Sequence, residues 1–274
     1  MKTSKSPINR SKNLLHKSYL LIFISVFFFS FSADLNTAAG SLNSRDTEGE
    51  ELIELNLRIH IMTDVTMTHS SGLVMDNWVS PRDIEEIIMP EVNAIWSQAN
   101  IKWVIESIIK ENAVKGESYE ESIAFIASTK RDSAGHSDSA RLPHLYSLMQ
   151  PKNMSTPEEL DENLFHIYLF PFIGNTSQGN AMRPFNWSTV VGTWTNKFNR
   201  GGTPEKVLLT EDHDSFKRGS LSRTIAHEIG HVLNLKHNEC ETDCLMGGKS
   251  QGYLLTEGQI ATARLEALKR INKQ

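Results

Sequence analysis

Residues 227 to 237 read HEIGHVLNLKH, and this stretch decides how the rest of the sequence is interpreted. His227 and His231 are four residues apart, so on a helix both imidazoles project from one face. Two histidines with this spacing can bind one Zn²⁺ ion through ring nitrogens, at about 2.0–2.1 Å each. Glu228 lies beside them, where its carboxylate can take a proton from a water molecule at the metal.

His237 is predicted to be the third metal ligand, although it follows His231 by six residues. On a continuous helix it would lie about 9 Å further along the axis, too far to share the ion. We therefore predict a sharp turn at Asn234, because asparagine readily adopts the left-handed conformation that ends helices. Three neutral histidines and one water make an open site, as in catalytic rather than structural zinc centres.

The rest of the body has an α+β pattern, because a strand and a helix are followed by further strands and then by two helices. Apolar and polar residues alternate over 53–61, which is typical of a half-buried strand. The first helix begins at Ser80, and Pro90 should kink or split it. Residues 107–163 are polar and irregular and are predicted to be an insertion. Further strands are predicted at 101–105, 165–172, 188–195 and 206–210, and helices at 119–128, 143–149, 221–234 and 256–270.

The N-terminal segment has the pattern of an export signal, in which basic residues precede an apolar block at 20–31. That block is shorter than the roughly 20 apolar residues that a membrane-spanning helix needs. We predict a signal peptide at 1–32, cleaved after Ser32 or closer to Ala38, and an acidic linker at 33–51. The mature protein would be secreted or periplasmic, with no stable membrane association. The alternative is an uncleaved membrane anchor.

Composition and charge restrict the remaining possibilities. The chain has 274 residues, 39% hydrophobic and 22% charged, which is ordinary for a folded globular protein. Its net charge of -5 gives no basic field that would favour nucleic acid as a partner. The two cysteines, Cys240 and Cys244, allow at most one intrachain bridge. We expect that bridge in an oxidising compartment, the alternatives being free thiols or thiolates that compete for zinc.

The 227–237 motif resembles the HExxHxxGxxH signature of the metzincin zinc peptidases, with Asn234 where the family usually has glycine. Met246 resembles the methionine that these enzymes place in a turn beneath the zinc. Two flanking segments look like matrixin-like members: 93–101 resembles their first long helix running into the second strand, and 255–260 resembles the start of their C-terminal helix. The resemblance covers about residues 52 to 274.

The resemblance implies a zinc metallopeptidase catalytic domain over 52–274 with a zincin, metzincin-like fold. That fold has a twisted, mixed five-stranded sheet with an antiparallel edge strand, an active-site helix and a C-terminal helix. A substrate peptide would lie along the edge strand by strand addition. The segment from Gly179 to Pro184, which contains Asn180, Ala181 and Met182, is the predicted edge strand. An ordinary surface loop is the alternative.

The resemblance also implies an activity, that of a secreted zinc-dependent endopeptidase acting on protein or peptide substrates. One catalytic Zn²⁺ would be held by the three histidines, with Glu228 as general base and then proton donor. An exported zinc-binding or interaction protein with little turnover is the alternative, although binding alone does not need Glu228. Nothing in the sequence separates a protease acting on one host protein from a general scavenging protease.

Overall fold

The computed structural model describes nine ranges of the chain, which are 51–128, 141–149, 164–174, 179–182, 188–196, 204–206, 220–237, 243–247 and 252–271. The predicted signal peptide, and the predicted linker up to residue 50, lie outside these ranges. All of the described residues belong to one compact unit. Within them, no helix combines the length and the apolar character needed to span a bilayer.

Strands and helices follow one another in an α+β order. The described strands are β1 (Ile53–Met62), β2 (Met67–Thr68), β3 (Val74–Met75), β4 (Ile101–Glu111), β5 (Leu164–Phe170), β6 (Gly179–Met182), β7 (Ser188–Gly192), β8 (Trp194–Asn196) and β9 (Pro204–Lys206). The described α-helices are α1 (Pro81–Asp83), α2 (Met89–Trp96), α3 (Tyr119–Ala127), α4 (Leu142–Leu148), α5 (Leu221–Val232) and α6 (Glu257–Ile271).

Five strands form the central sheet, in the order β4, β1, β5, β7, β6. The first four are parallel to one another, and β6 runs antiparallel to β7 at the edge. Two small antiparallel pairs, β2 with β3 and β8 with β9, lie outside this sheet. The α+β class is therefore confirmed, and the segment predicted as an edge strand begins with β6.

Different helices cover the two faces of the sheet. On one face, the buried residues of β1 at alternate positions from Ile53 to Ile61 pack in one cluster with side chains of α2 and α5. On the other face, Met62, Tyr168 and Phe170 pack with α3 and α4, the two helices of the predicted insertion. Helix α5 contacts β6 and β7, so it lies near the antiparallel edge of the sheet.

Pro90 divides the first helical segment, as predicted. Ser80 caps this segment: its side chain accepts a hydrogen bond from the Asp83 N–H, and the Asp83 carboxylate accepts one from the Ser80 N–H at 2.8 Å. A π-helical turn over Ile84–Ile88 then separates α1 from α2, with Pro90 in the first turn of α2. Proline lacks an N–H and its ring crowds the preceding turn, so a wider turn is a physical solution at this point.

The predicted insertion at 107–163 begins too early, because β4 continues to Glu111. The register between β1 and β4 shifts after Leu57: Leu57 pairs with Ile105, but Arg58 pairs with Ser107. Glu106 is the extra residue of this bulge, and its carboxylate accepts a hydrogen bond from Arg58 Nε at 2.8 Å. A bulge interrupts the period-two pattern by which strands are identified in sequences. That interruption is why the prediction stopped at residue 105.

Other boundaries differ by smaller amounts. Strand β5 ends at Phe170, two residues before the predicted end. The predicted strand over 188–195 is divided between β7 and β8, and of the strand predicted at 206–210 only Lys206 is described, in β9. Helix α5 ends at Val232 instead of residue 234, while α6 agrees with its prediction to within one residue at each end.

Candidate metal centre

Helix α5 carries the first two histidines and ends in the turn that the sequence predicts. Asn234 has φ 63°, in the left-handed region. Its N–H donates to the His231 carbonyl at 3.0 Å, and the Leu235 N–H donates to the Gly230 carbonyl at 2.9 Å. These two bonds form a Schellman motif, which satisfies carbonyls that a helix end leaves without partners. The chain therefore reverses within three residues of the helix end and returns His237 to the helix.

The three histidines converge on one point. His237 Nε2 lies 2.9 Å from His227 Nε2 and 3.0 Å from His231 Nε2. Two nitrogens bound tetrahedrally to zinc at about 2.0–2.1 Å would lie about 3.3 Å apart. The observed separations are within a few tenths of an ångström of that value. The three side chains can therefore hold a metal ion together, and among the described residues they form the one such group of three.

Backbone carbonyls fix the orientation of two of the imidazole rings. His227 Nδ1 lies 2.6 Å from the Leu245 carbonyl oxygen, and His231 Nδ1 lies 2.8 Å from the Leu235 carbonyl oxygen. A carbonyl can only accept, so Nδ1 carries the proton in both rings and donates it. The lone pair of each neutral ring is then on Nε2, which faces the point of convergence. Such outer hydrogen bonds set the tautomer and the basicity of metal-binding histidines.

Burial keeps the first ligand neutral. His227 is only 8% exposed, and this burial, with the positive charge of Arg223 as the next cause, lowers its pKa well below the usual 6.5. A neutral imidazole at neutral pH is what a metal ligand requires. His231 is half-buried and His237 is exposed, so the centre is accessible from one side.

Arg223 is a structural part of the centre that the sequence reasoning missed. Its side chain is buried one helical turn before His227, where Nη2 donates to the Leu245 carbonyl at 2.8 Å and Nε to the Gly252 carbonyl at 3.0 Å. The Leu245 carbonyl thus accepts from Arg223 and from His227 together. The spacing of four residues on one helix face was the available signal, but the shared acceptor lies in a distant loop.

Met246, which the resemblance implies lies beneath the zinc, lies against α5. It is fully buried, and a β-carbon added to Gly230 would be only 2.6 Å from its sulfur. Gly230 lies between the two histidines of α5, and its missing side chain leaves the space that Met246 fills. The residues around Met246 form a turn in which the Gly247 N–H donates to the Cys244 carbonyl at 3.3 Å.

Glu228 follows His227 on α5, and its side chain lies against the start of β6. It is 6% exposed, and the position where Gly179 lacks a β-carbon is 2.7 Å from its Oε1 atom. Of the predicted substrate strand, Asn180, Ala181 and Met182 lie in β6 at the sheet edge, while residues 183 and 184 are outside the described ranges. The structure thus brings the three histidines to one point and places the predicted base, on the same helix, against the start of the edge strand. That a substrate pairs with β6 stays a prediction.

Cys244 is disulfide-bonded, and it is the first residue of the turn that contains Met246. The other cysteine of the sequence, Cys240, lies outside the described residues.

Comparison with known proteins does not assign the chain to a family. It matches no known family model. No curated protein matches it either. Any functional conclusion therefore depends on the geometry of the centre and on the sequence motif.

Proposed function

We propose that this protein is an exported, zinc-dependent endopeptidase with a metzincin-like catalytic domain. The observation that carries this proposal is the convergence of three histidine Nε2 atoms, within 3.0 Å of the central one. The buried Glu228 follows the first of these histidines on α5 and packs against Gly179 at the start of the edge strand. Each part alone has ordinary explanations. Their combination would supply the ligands, base and substrate-binding strand of a metal-dependent peptidase.

The donor set favours zinc. Zinc binds neutral imidazoles tetrahedrally, and catalytic zinc sites use three protein ligands with a fourth position for water or substrate. His227, His231 and His237 are such a set, and backbone carbonyls hold two of them in the required tautomer. Imidazole also suits copper, nickel and iron, so the metal content of the purified protein must be measured.

Glu228 is the residue that we propose to move the proton. When bound, zinc supplies a Lewis acid that polarises a carbonyl group and lowers the pKa of water. The Glu228 carboxylate follows His227 in the chain and would accept the proton of the attacking water. It would then donate that proton to the leaving amine, as a general acid. Its burial places this transfer in a low-dielectric environment, where electrostatic interactions are strong.

The edge strand supports a peptide as the substrate. A strand at a sheet edge recognises an extended peptide by main-chain hydrogen bonds, which do not depend on a chain end. Strand β6 begins at Gly179, beside Glu228, so a peptide paired along it would pass the catalytic carboxylate. This arrangement favours cleavage within chains over removal of terminal residues.

Export and the metzincin-like fold rest on further observations. The disulfide at Cys244 is typical of an oxidising compartment, which agrees with the predicted signal peptide and with a secreted or periplasmic location. A mixed sheet with an antiparallel edge strand, the motif on α5 and Met246 beneath it are the features that the family resemblance implies.

The test compares the full-length wild type with Glu228→Ala and His227→Ala by metal analysis and digestion of a peptide library. We expect a stoichiometric zinc ion in the wild type and in Glu228→Ala, and loss of the metal from His227→Ala. Hydrolysis should be removed by a chelator, restored by zinc, and lowered at least about 10²-fold in Glu228→Ala. Equal rates for Glu228→Ala and wild type would contradict the mechanism. A wild type that holds zinc but cleaves nothing would favour the zinc-binding alternative.

A further inference from the structure

Gly179 is buried at the start of β6, where it pairs with Val191 of β7. The described glycines with positive φ are Gly72 and Gly174, so the backbone of Gly179 is one that any residue can adopt. Conformational freedom therefore does not explain a glycine at this position. The explanation must lie in the space that a side chain would occupy.

That space is filled by Glu228. A β-carbon on Gly179 would overlap Glu228 Cγ most closely, and it would lie 2.6 Å from Cδ and 2.7 Å from Oε1. Both distances are well below ordinary van der Waals contact, so even a methyl group would overlap the carboxylate itself. A further close approach on the same helix, between Gly230 and the Met246 sulfur, does not involve the carboxylate.

We propose that Gly179 is a positioning residue of the site: its missing side chain fixes where the Glu228 carboxylate lies relative to the three histidines. The effect on catalysis rests on the proposed function, whereas the contact between Gly179 and Glu228 is independent of it. The residue joins β6 to the proton-transfer group, so the strand that would bind substrate also sets the position of the base.

The Glu228 side chain is the part that must move if a methyl group is added. Strand β6 is paired with β7 over its whole length, and α5 is buried against the sheet and α2. A glutamate side chain has rotatable bonds and can swing away with less cost than a displaced strand. His227 and His231 should stay in place, because the Leu245 and Leu235 carbonyls hold them. Gly179→Ala is therefore expected to move the base and leave the metal ligands intact.

The experiment uses the full-length zinc protein with Gly179→Ala and a matched control, Gly116→Ala. Gly116 also has an ordinary φ, and a β-carbon there would meet nothing within 4 Å. We expect Gly179→Ala to lower peptide hydrolysis about 10²-fold, the usual effect of misplacing a reacting group by about 1 Å. Zinc affinity should match that of the wild type. Gly116→Ala should change neither quantity.

A double-mutant comparison separates positioning through Glu228 from a general structural role. In a Glu228→Ala background the space is open, so Gly179→Ala should cause no further loss of hydrolysis. The same logic applies to the thermal midpoint, which Gly179→Ala should lower by about 2–4 °C only when Glu228 is present. A wild type that hydrolyses nothing would contradict the proposed function but not this inference. The thermal midpoints would still test whether Gly179 and Glu228 are coupled. Equal shifts in both backgrounds, or wild-type hydrolysis in Gly179→Ala, would overturn the inference.

Discussion

Asn234 connects backbone strain to metal affinity, and replacing it by valine tests that connection. Its φ of 63° turns the chain so that His237 returns to the helix. The left-handed conformation costs an L-residue roughly 1–2 kcal/mol, and a β-branched side chain is among the least tolerant of it. Asparagine reduces this cost with local hydrogen bonds, so we expect Asn234→Val to add about 1–2 kcal/mol.

The strain should lower either the zinc affinity or the free energy of unfolding of the metal-free protein. If the metal-free protein relaxes the turn, metal binding must restore it, and zinc affinity falls by the corresponding factor of about 5–30. If the turn stays left-handed without metal, the strain instead lowers the free energy of unfolding by about 1–2 kcal/mol. The thermodynamic cycle fixes the sum of the two losses, in zinc-binding free energy and in the stability of the metal-free protein. Zinc titration and denaturant unfolding of the metal-free and zinc-bound protein together measure that sum.

Asn100 provides the matched control, because it is the other described non-glycine residue with positive φ, at 50°. It ends a short 3₁₀ turn after α2, away from the histidines. Asn100→Val should lower stability by a similar amount and leave the zinc affinity of the folded protein unchanged. Asn234→Gly should keep both properties, since glycine adopts this φ without strain. If Asn234→Val matched the wild type in both zinc affinity and stability, the geometric role assigned to Asn234 would be wrong.

Three further changes test other parts of the structure. Arg223→Lys keeps the positive charge but lacks the planar guanidinium that bonds the Leu245 and Gly252 carbonyls, so zinc affinity should fall about 10–100-fold. The control is Arg264→Lys, which also loses bonds to backbone carbonyls and should leave zinc affinity unchanged. Met246→Leu should retain the metal and lose less than about 1.5 kcal/mol of stability, because the methionine packs under the helix without binding zinc. Burial, reinforced by a neighbouring histidine, lowers the pKa of His166 from 6.5 to about 4, so this residue's stabilisation is complete above pH 6.5 and declines by about 3 kcal/mol as the pH falls to 4. Denaturant unfolding of His166→Asn should show a correspondingly flatter pH dependence over that interval, and an unchanged slope would contradict the assignment.

The convergence of the three histidines could be predicted from the sequence because their arrangement is mainly local. The four-residue spacing of His227 and His231 fixes one helix face, and Asn234 carries its own preference for the turn that returns His237. Strand β1 could be predicted equally well, since its alternation of apolar and polar residues is uninterrupted over 53–61. These features depend on residues within a few positions of one another, which is the range that sequence patterns describe.

Features that depend on distant segments could not be predicted. The Leu245 carbonyl meets Arg223 and His227 only after the loop beyond the helix has folded back. The contact of Gly179 with Glu228 requires the edge strand and the helix to be in place. The bulge at Glu106 hid the second half of β4 for a related reason, because only the pairing with β1 identifies the extra residue. In each case, tertiary structure determines the role of a residue whose local sequence is unremarkable.

The burial of Glu228 also bears on the choice between an enzyme and a zinc-binding protein. Placing a carboxylate at 6% exposure costs free energy unless its partners compensate, and zinc binding by three histidines gains nothing from a carboxylate outside the ligand set. A protein that only bound zinc could fill this position with an apolar side chain at lower cost. Here a buried carboxylate directly follows the first of the three histidines, and the absence of a side chain at Gly179 in the neighbouring strand leaves room for it. Both features have a physical reason if Glu228 transfers a proton at the metal, which is why we favour the hydrolase.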